Sequence, residues 1–120
     1  MAAALLTLAT IARAADVPYI SGGVGSDERE ELLAKERDYN LKVIAARSSG
    51  HYLSGVVIVI ESAAGERMLE TTMTGPILLA KLPPGSYTLK ATAGDQTQSQ
   101  TVTIPAQGSK QVQFRWADRR

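Results

Sequence analysis

Residues 82–92 read Leu82-Pro83-Pro84-Gly85-Ser86-Tyr87-Thr88-Leu89-Lys90-Ala91-Thr92, and this stretch decides the fold. Two prolines restrict φ and a glycine accepts a backbone angle that other residues resist, so Pro83-Pro84-Gly85 makes a tight turn. Beyond the turn the chain alternates. Tyr87, Leu89 and Ala91 share one face, and Thr88, Lys90 and Thr92 share the other. A period of two is the pattern of a strand with one face buried. Tyr87 is expected to put its ring into the core while its hydroxyl bonds back to nearby backbone, the logic of a tyrosine corner.

The same period extends on both sides. Toward the C-terminus, Gly94-Asp95 is a hairpin turn signal. Thr97 to Ile104 is a polar strand anchored by Val102 and Ile104, and Pro105 ends it. Val112, Phe114 and Trp116 alternate with Gln111, Gln113 and Arg115 in the last strand. Toward the N-terminus, Ile77 to Ala80 and Arg67 to Met73 are strands separated by Gly75-Pro76. Val56 to Ile60 is β-branched and apolar throughout, which suits a central strand, and Leu41 to Ala45 is the first of the series. Seven short strands with frequent turns predict an all-β, antiparallel sandwich over residues 39–118, of the immunoglobulin-like kind.

Before Tyr39 the pattern changes. Residues 15–38 are a lead-in segment. Pro18 and Gly22-Gly23-Val24-Gly25 oppose regular structure, and one short surface helix follows. Ser26 or Asp27 is its expected cap, with Asp27 and Glu30 at capping-box spacing. The acidic first turn and Lys35 and Arg37 near the end complement the helix dipole. Its apolar face is narrow, mainly Leu32 and Leu33.

Residues 1–14 read as a signal peptide. The run Ala2 to Ala12 is apolar and uncharged, and shorter than the roughly 20 residues of a membrane span. Ala12-Arg13-Ala14 is a small-x-small cleavage pattern, so the cut falls after Ala14 or after Ala15. No Lys or Arg precedes the run, and a start codon placed too far downstream accounts for that departure. The expected location is the bacterial periplasm, with no membrane span after cleavage.

Composition removes several function classes. With no cysteine there is no disulfide, thiolate metal site or cysteine nucleophile. Loss of Arg13 brings the 13 basic residues to 12, equal to the 12 acidic ones. The basic residues are scattered, whereas nucleic-acid binding draws on a concentrated basic stripe, so no nucleic-acid partner is expected.

His51 is the single histidine. Ser49 and Ser54 lie near it, but there is no Gly-x-Ser-x-Gly elbow, and the simpler reading is a polar residue in the loop Ser48 to Ser54. One histidine does not make a zinc site. The acids Asp27 to Glu31 read as dipole complement rather than as a calcium loop. Lys42 and Asp118 could form an internal isopeptide bond, but a lysine on a strand is usually solvated. No catalytic residue, metal or cofactor is therefore assigned. Gly22 to Gly25 ahead of a helix could hold an anion, although nearby acids oppose it; packing along a sheet edge is the preferred role. For binding, His51, Tyr52 and Tyr19 are the candidates. Trp116, in register with Val112 and Phe114, is expected in the core.

The stretch Leu82 to Ala91, with the strand Gly55-Val56-Val57-Ile58-Val59 before it, resembles carboxypeptidase regulatory-like domains over roughly residues 40–117. These are transthyretin-like sandwiches grouped with carbohydrate-binding-like folds. Tyr19 to Leu32 is similar to the Gly-Gly-x-Gly-x-acidic segment of small exported Gram-negative proteins that carry this domain. The resemblance implies Pro84, Gly85 and Tyr87 as structural turn residues and no established biochemical activity; the expected function is a non-catalytic module binding an unknown envelope protein or glycan. Hydroxyisourate hydrolases, which share the fold, rely on several histidines and a Tyr-Arg-Gly-Ser tail that this chain lacks. A sugar-binding module is the first alternative. An assembly accessory acting through the edge strand Thr97 to Thr103 is the second.

Overall fold

A computed structural model describes residues 17–117. Residues 1–14, expected as a signal peptide, the expected cleavage positions Ala14 and Ala15, and Asp118 lie outside the described residues. Eight strands form two four-stranded sheets. The first runs β1 (Tyr19–Gly22), β5 (Ile77–Ala80), β2 (Leu41–Arg47), β8 (Lys110–Trp116). The second runs β4 (Arg67–Thr72), β3 (Val57–Ser62), β6 (Gly85–Ala93), β7 (Gln96–Ile104). The all-β sandwich expected from the period of two is present.

The sheets face each other across one core. Leu41, Val43 and Ala45 of β2 meet Ile58 and Ile60 of β3 and Leu89 and Ala91 of β6. Phe114 is fully buried, with its ring centroid 6.1 Å from that of Trp116. In β8 the residues Val112, Phe114 and Trp116 are buried while Gln111, Gln113 and Arg115 are exposed.

Three expectations are corrected. There are eight strands rather than seven, because Tyr19–Gly22 pairs antiparallel with β5 from Tyr19↔Ala80 to Gly22↔Ile77. Pairing with a neighbour, which local composition does not encode, overrides Pro18 and the glycines. Nor is the sandwich wholly antiparallel: β2 and β8 pair in parallel, from Leu41↔Lys110 to Arg47↔Trp116. Finally, α1 (Ser26–Ala34) has Gly25 at its N-cap, with no side-chain cap bond from Ser26 or Asp27. Glu28 instead reaches back over the glycine loop. Its Oε1 accepts the Gly23 amide at 3.2 Å and the Val24 amide at 2.9 Å.

The helix covers the outer face of the first sheet. Leu32 packs on Ile77 and Leu79, with Ile20 and Tyr39 alongside, while Leu33 stays exposed. A 3-10 turn, Glu36–Asp38, leads into β2. Asn40 fixes the start of that strand. Its Nδ2 donates to the Leu82 carbonyl at 2.7 Å and its Oδ1 accepts the Leu82 amide at 2.9 Å.

Side chains close both seams between the sheets. On one side, Thr74 Oγ1 donates to the Ser21 carbonyl at 3.1 Å and Thr71 Oγ1 donates to the Tyr19 hydroxyl at 3.1 Å. On the other, Gln98 and Gln100 of β7 donate to the Arg115 and Gln113 carbonyls of β8 at 2.5 and 2.8 Å.

The proline turn is built as its sequence suggests. Gly85 has φ +151°, Tyr87 is 4% exposed, and the Tyr87 hydroxyl donates to the Pro83 carbonyl at 2.6 Å.

Candidate functional site

Strand directions gather several connections at one end of the sandwich: the loop after β2, the β6–β7 turn, the β4–β5 loop, the start of α1 and the end of β8. The loop after β2 is held by its own backbone. The Gly50 amide donates to Arg47, the Arg47 amide to the His51 carbonyl at 2.7 Å, and the Leu53 amide to Ala45. Ala46 and Tyr52 form an isolated bridge. Parallel pairing then sets β8 beside this loop, and the Ser48 amide donates to the Trp116 carbonyl at 2.8 Å.

His51 is exposed, and its Nδ1 lies 2.8 Å from Ser49 Oγ. This contact is local, between residues two apart in a solvated loop. Among the described residues, no hydrogen bond or ion pair joins a carboxylate to the imidazole. A nucleophilic serine needs a base that is itself oriented, and donors for the developing oxyanion.

Tyr52 is 55% exposed, and the Arg29 guanidinium sits over its ring, 5.5 Å from the centroid. Such a contact at an accessible site is worth about 0.5–1 kcal/mol. Arg29 Nη1 also donates to the Gly23 carbonyl at 3.0 Å. Arg47 Nη1 donates to the Ala117 carbonyl at 3.0 Å, and Arg115 Nη1 to the Ser48 carbonyl at 3.5 Å.

Among the described residues none of these three guanidiniums forms an ion pair with a carboxylate. By contrast Lys42, Arg67 and Lys90 pair with Glu36, Glu70 and Glu61. A guanidinium carries five donors, more than the single carbonyl hydrogen bond each of the three makes among the described residues. Of the three, Arg47 lines an open cleft of about 440 Å³, together with Ser54, Asp95, Gln96 and Trp116 among others. Asp95 adds one negative charge to the wall. The indole Nε1 of Trp116 donates to the Gln96 carbonyl at 3.3 Å, so that ring is structural.

The structure therefore brings His51 and Tyr52 together and leaves Tyr19 elsewhere. Tyr19 opposes Ala80 at the far end of the first sheet, 40% exposed. The three arginines were not candidates in the sequence, where they stand far apart with no local motif. Only the β2–β8 pairing and the fold of the helix bring them to one end.

The glycine loop is not open to an external anion, because its Gly23 and Val24 amides already hold the Glu28 carboxylate. A second open cleft, of about 460 Å³, lies at the opposite end and is more apolar, with Val17, Met68, Leu82, Pro83 and Pro105 in its walls. No helix among the described residues is long and apolar enough to cross a membrane.

The fold and this end together describe an all-β sandwich with a polar, arginine-bearing cleft between its loops. No protein-family model matches the chain. No curated protein is significantly similar to it.

Proposed function

We propose that the chain is an exported, non-catalytic sandwich module of the carboxypeptidase regulatory-like type, which binds its ligand at the arginine-bearing loop end. The observation that carries the binding site is the cleft lined by Arg47, whose guanidinium, among the described residues, donates to a backbone carbonyl and pairs with no carboxylate; Arg29, Arg115 and the accessible Tyr52 ring lie at the same end of the sandwich. That set suits a carboxylate lying beside a flat or apolar surface, as on an acidic sugar or an acidic peptide. The family reading is supported by the turn, where Tyr87 donates to Pro83 as the motif implies. Export is supported by the apolar run and the Ala-x-Ala pattern of residues 2–14. The non-catalytic reading is supported by the exposed setting of the Ser49–His51 pair.

The experiment is a titration of the isotope-labelled mature chain, followed through its backbone amides. Polygalacturonate and poly-glutamate serve as acidic probes and a neutral glucan as control. Shifts confined to residues 47–55 and 94–96, and lost in Arg47→Gln, support the reading. No shift with any acidic probe removes it. A response to the neutral glucan equal to that of the acids, unchanged in Arg47→Gln, would favour sugar stacking on Tyr52 alone.

A further inference from the structure

The four sheet edges of this sandwich are not alike. β1 is four residues long, and the Thr74 hydroxyl takes its Ser21 carbonyl. β4 carries the exposed Arg67–Glu70 ion pair, and its register with β3 breaks at Ile60/Glu61. β8 is flanked by Lys110 and Arg115, and its Gln113 and Arg115 carbonyls are taken by Gln100 and Gln98. Short length, charge, a bulge and covered carbonyls are the usual protections of an edge.

Among the described residues β7 has none of these from Thr97 to Thr103; its one carbonyl taken by a side chain, that of Gln96 by the Trp116 indole, lies at its first residue. Gln96-Thr97-Gln98-Ser99-Gln100-Thr101-Val102-Thr103-Ile104 holds no charge, proline or glycine, and pairs with β6 without a break over nine residues. The two-residue turn Gly94-Asp95 closes on the pair Ala93↔Gln96. A hairpin of that length closes on a hydrogen-bonded pair, and alternation then turns the amides and carbonyls of Thr97, Ser99, Thr101 and Thr103 away from β6. The same four residues stand in register with Thr92, Lys90, Thr88 and Ser86 on the outer face of the sheet.

We propose that β7 is a self-association edge, at which a second copy of this chain adds its own β7 antiparallel about a two-fold axis at Gln100. Symmetry then sets Thr97 opposite Thr103 and Ser99 opposite Thr101 of the other copy. Every outward backbone group of one strand finds its counterpart on the other, and no charges oppose. A foreign strand fits less well. Strand addition gains specificity from pockets that read alternate side chains, and this edge offers only small hydroxyls on its outer side. On the inner side, Gln98 and Gln100 are committed to β8. A second copy needs no such pockets, because the symmetry sets the register. The inference is separate from the loop-end ligand site, since the residues that would pair, Thr97, Ser99, Thr101 and Thr103, do not line that cleft.

Sedimentation equilibrium of the mature chain tests it, beside Ser99→Pro and the double variant Ser99→Lys/Thr101→Lys. Ser99→Pro removes an outward donor without touching the β6 ladder, and the lysines point to solvent and repel their counterparts across the axis. A reversible dimer is expected in the wild type, weakened roughly tenfold or more in both variants while their circular dichroism is retained. Amides of Thr97, Ser99, Thr101 and Thr103 should exchange more slowly as the wild-type concentration rises. A wild type that stays monomeric up to about 1 mM overturns the proposal. So does a dimer of undiminished affinity in the folded double-lysine variant.

Discussion

Tyr87 shows how much one residue can carry. Its ring lies in the core and its hydroxyl satisfies the Pro83 carbonyl. Tyr87→Phe should cost about 1 kcal/mol, the net worth of one hydrogen bond, measured by urea unfolding. Burial raises the phenol above its ordinary value of 10.0, with the negative charge of Glu66 adding to the rise. The neutral form is thus favoured in the fold, and its contribution is complete below the unfolded value. Above it the unfolded chain ionises first, so stability falls as pH rises through the folded value. The wild type should lose stability more steeply than Tyr87→Phe as pH rises above about 10, and equal slopes would remove this account. Gly75 is a second telling residue. A β-carbon there would collide with the backbone of Gly22, so Gly75→Ala should push β1 off β5 and cost about 1–3 kcal/mol. The role of Tyr87 was legible because turn and alternation are local. That of Gly75 was not, because its reason is a strand distant in sequence.

Elements were legible to the degree that they obey a period. All seven expected strands are present: β3, β6, β7 and β8 bury alternate residues, whereas Ile77–Ala80 is buried on both faces, between the core and the helix. Phe114→Ala in β8 should cost about 3–5 kcal/mol, since the cavity would lie at the fully buried centre, and calorimetry of the variant checks it. β1 escaped notice because four residues after a proline carry too little pattern. The helix was legible, but its cap was not. A capping-box spacing at Asp27 and Glu30 competes with a carboxylate one turn away that reaches the glycine amides, and Glu28 wins by holding two donors. Glu28→Ala should therefore speed hydrogen exchange at Gly23 and Val24 and destabilise the chain by about 1 kcal/mol, whereas Asp27→Ala should leave those amides unchanged.

At the scale of the molecule, the loop end was the least legible feature. His51 and Tyr52 were visible as polar and aromatic residues in a loop. Arg29, Arg47 and Arg115 were not, because a site assembled from three elements has no local spacing to find. Tyr19, similar to Tyr52 in composition terms, lies at the other end. Recognition by this end should depend on salt, because guanidinium–carboxylate attraction is screened at an accessible surface. Raising ionic strength from about 0.05 to 0.5 M should weaken binding of an acidic probe several-fold in the titration above, and leave a stacking-only ligand unaffected.

The parallel bond between β2 and β8 has one more effect. It joins residues 41–47 to residues 110–116, so the first sheet cannot close until the final strand has been made. A nascent chain lacking that strand has its second sheet available as two hairpins, β3–β4 and β6–β7, joined between β3 and β6, but no complete sheet to face it. Long-range pairing of this kind makes collapse late and slow. Lateness leaves the earlier strands without a facing sheet, and so pliable, until residues 110–116 are available.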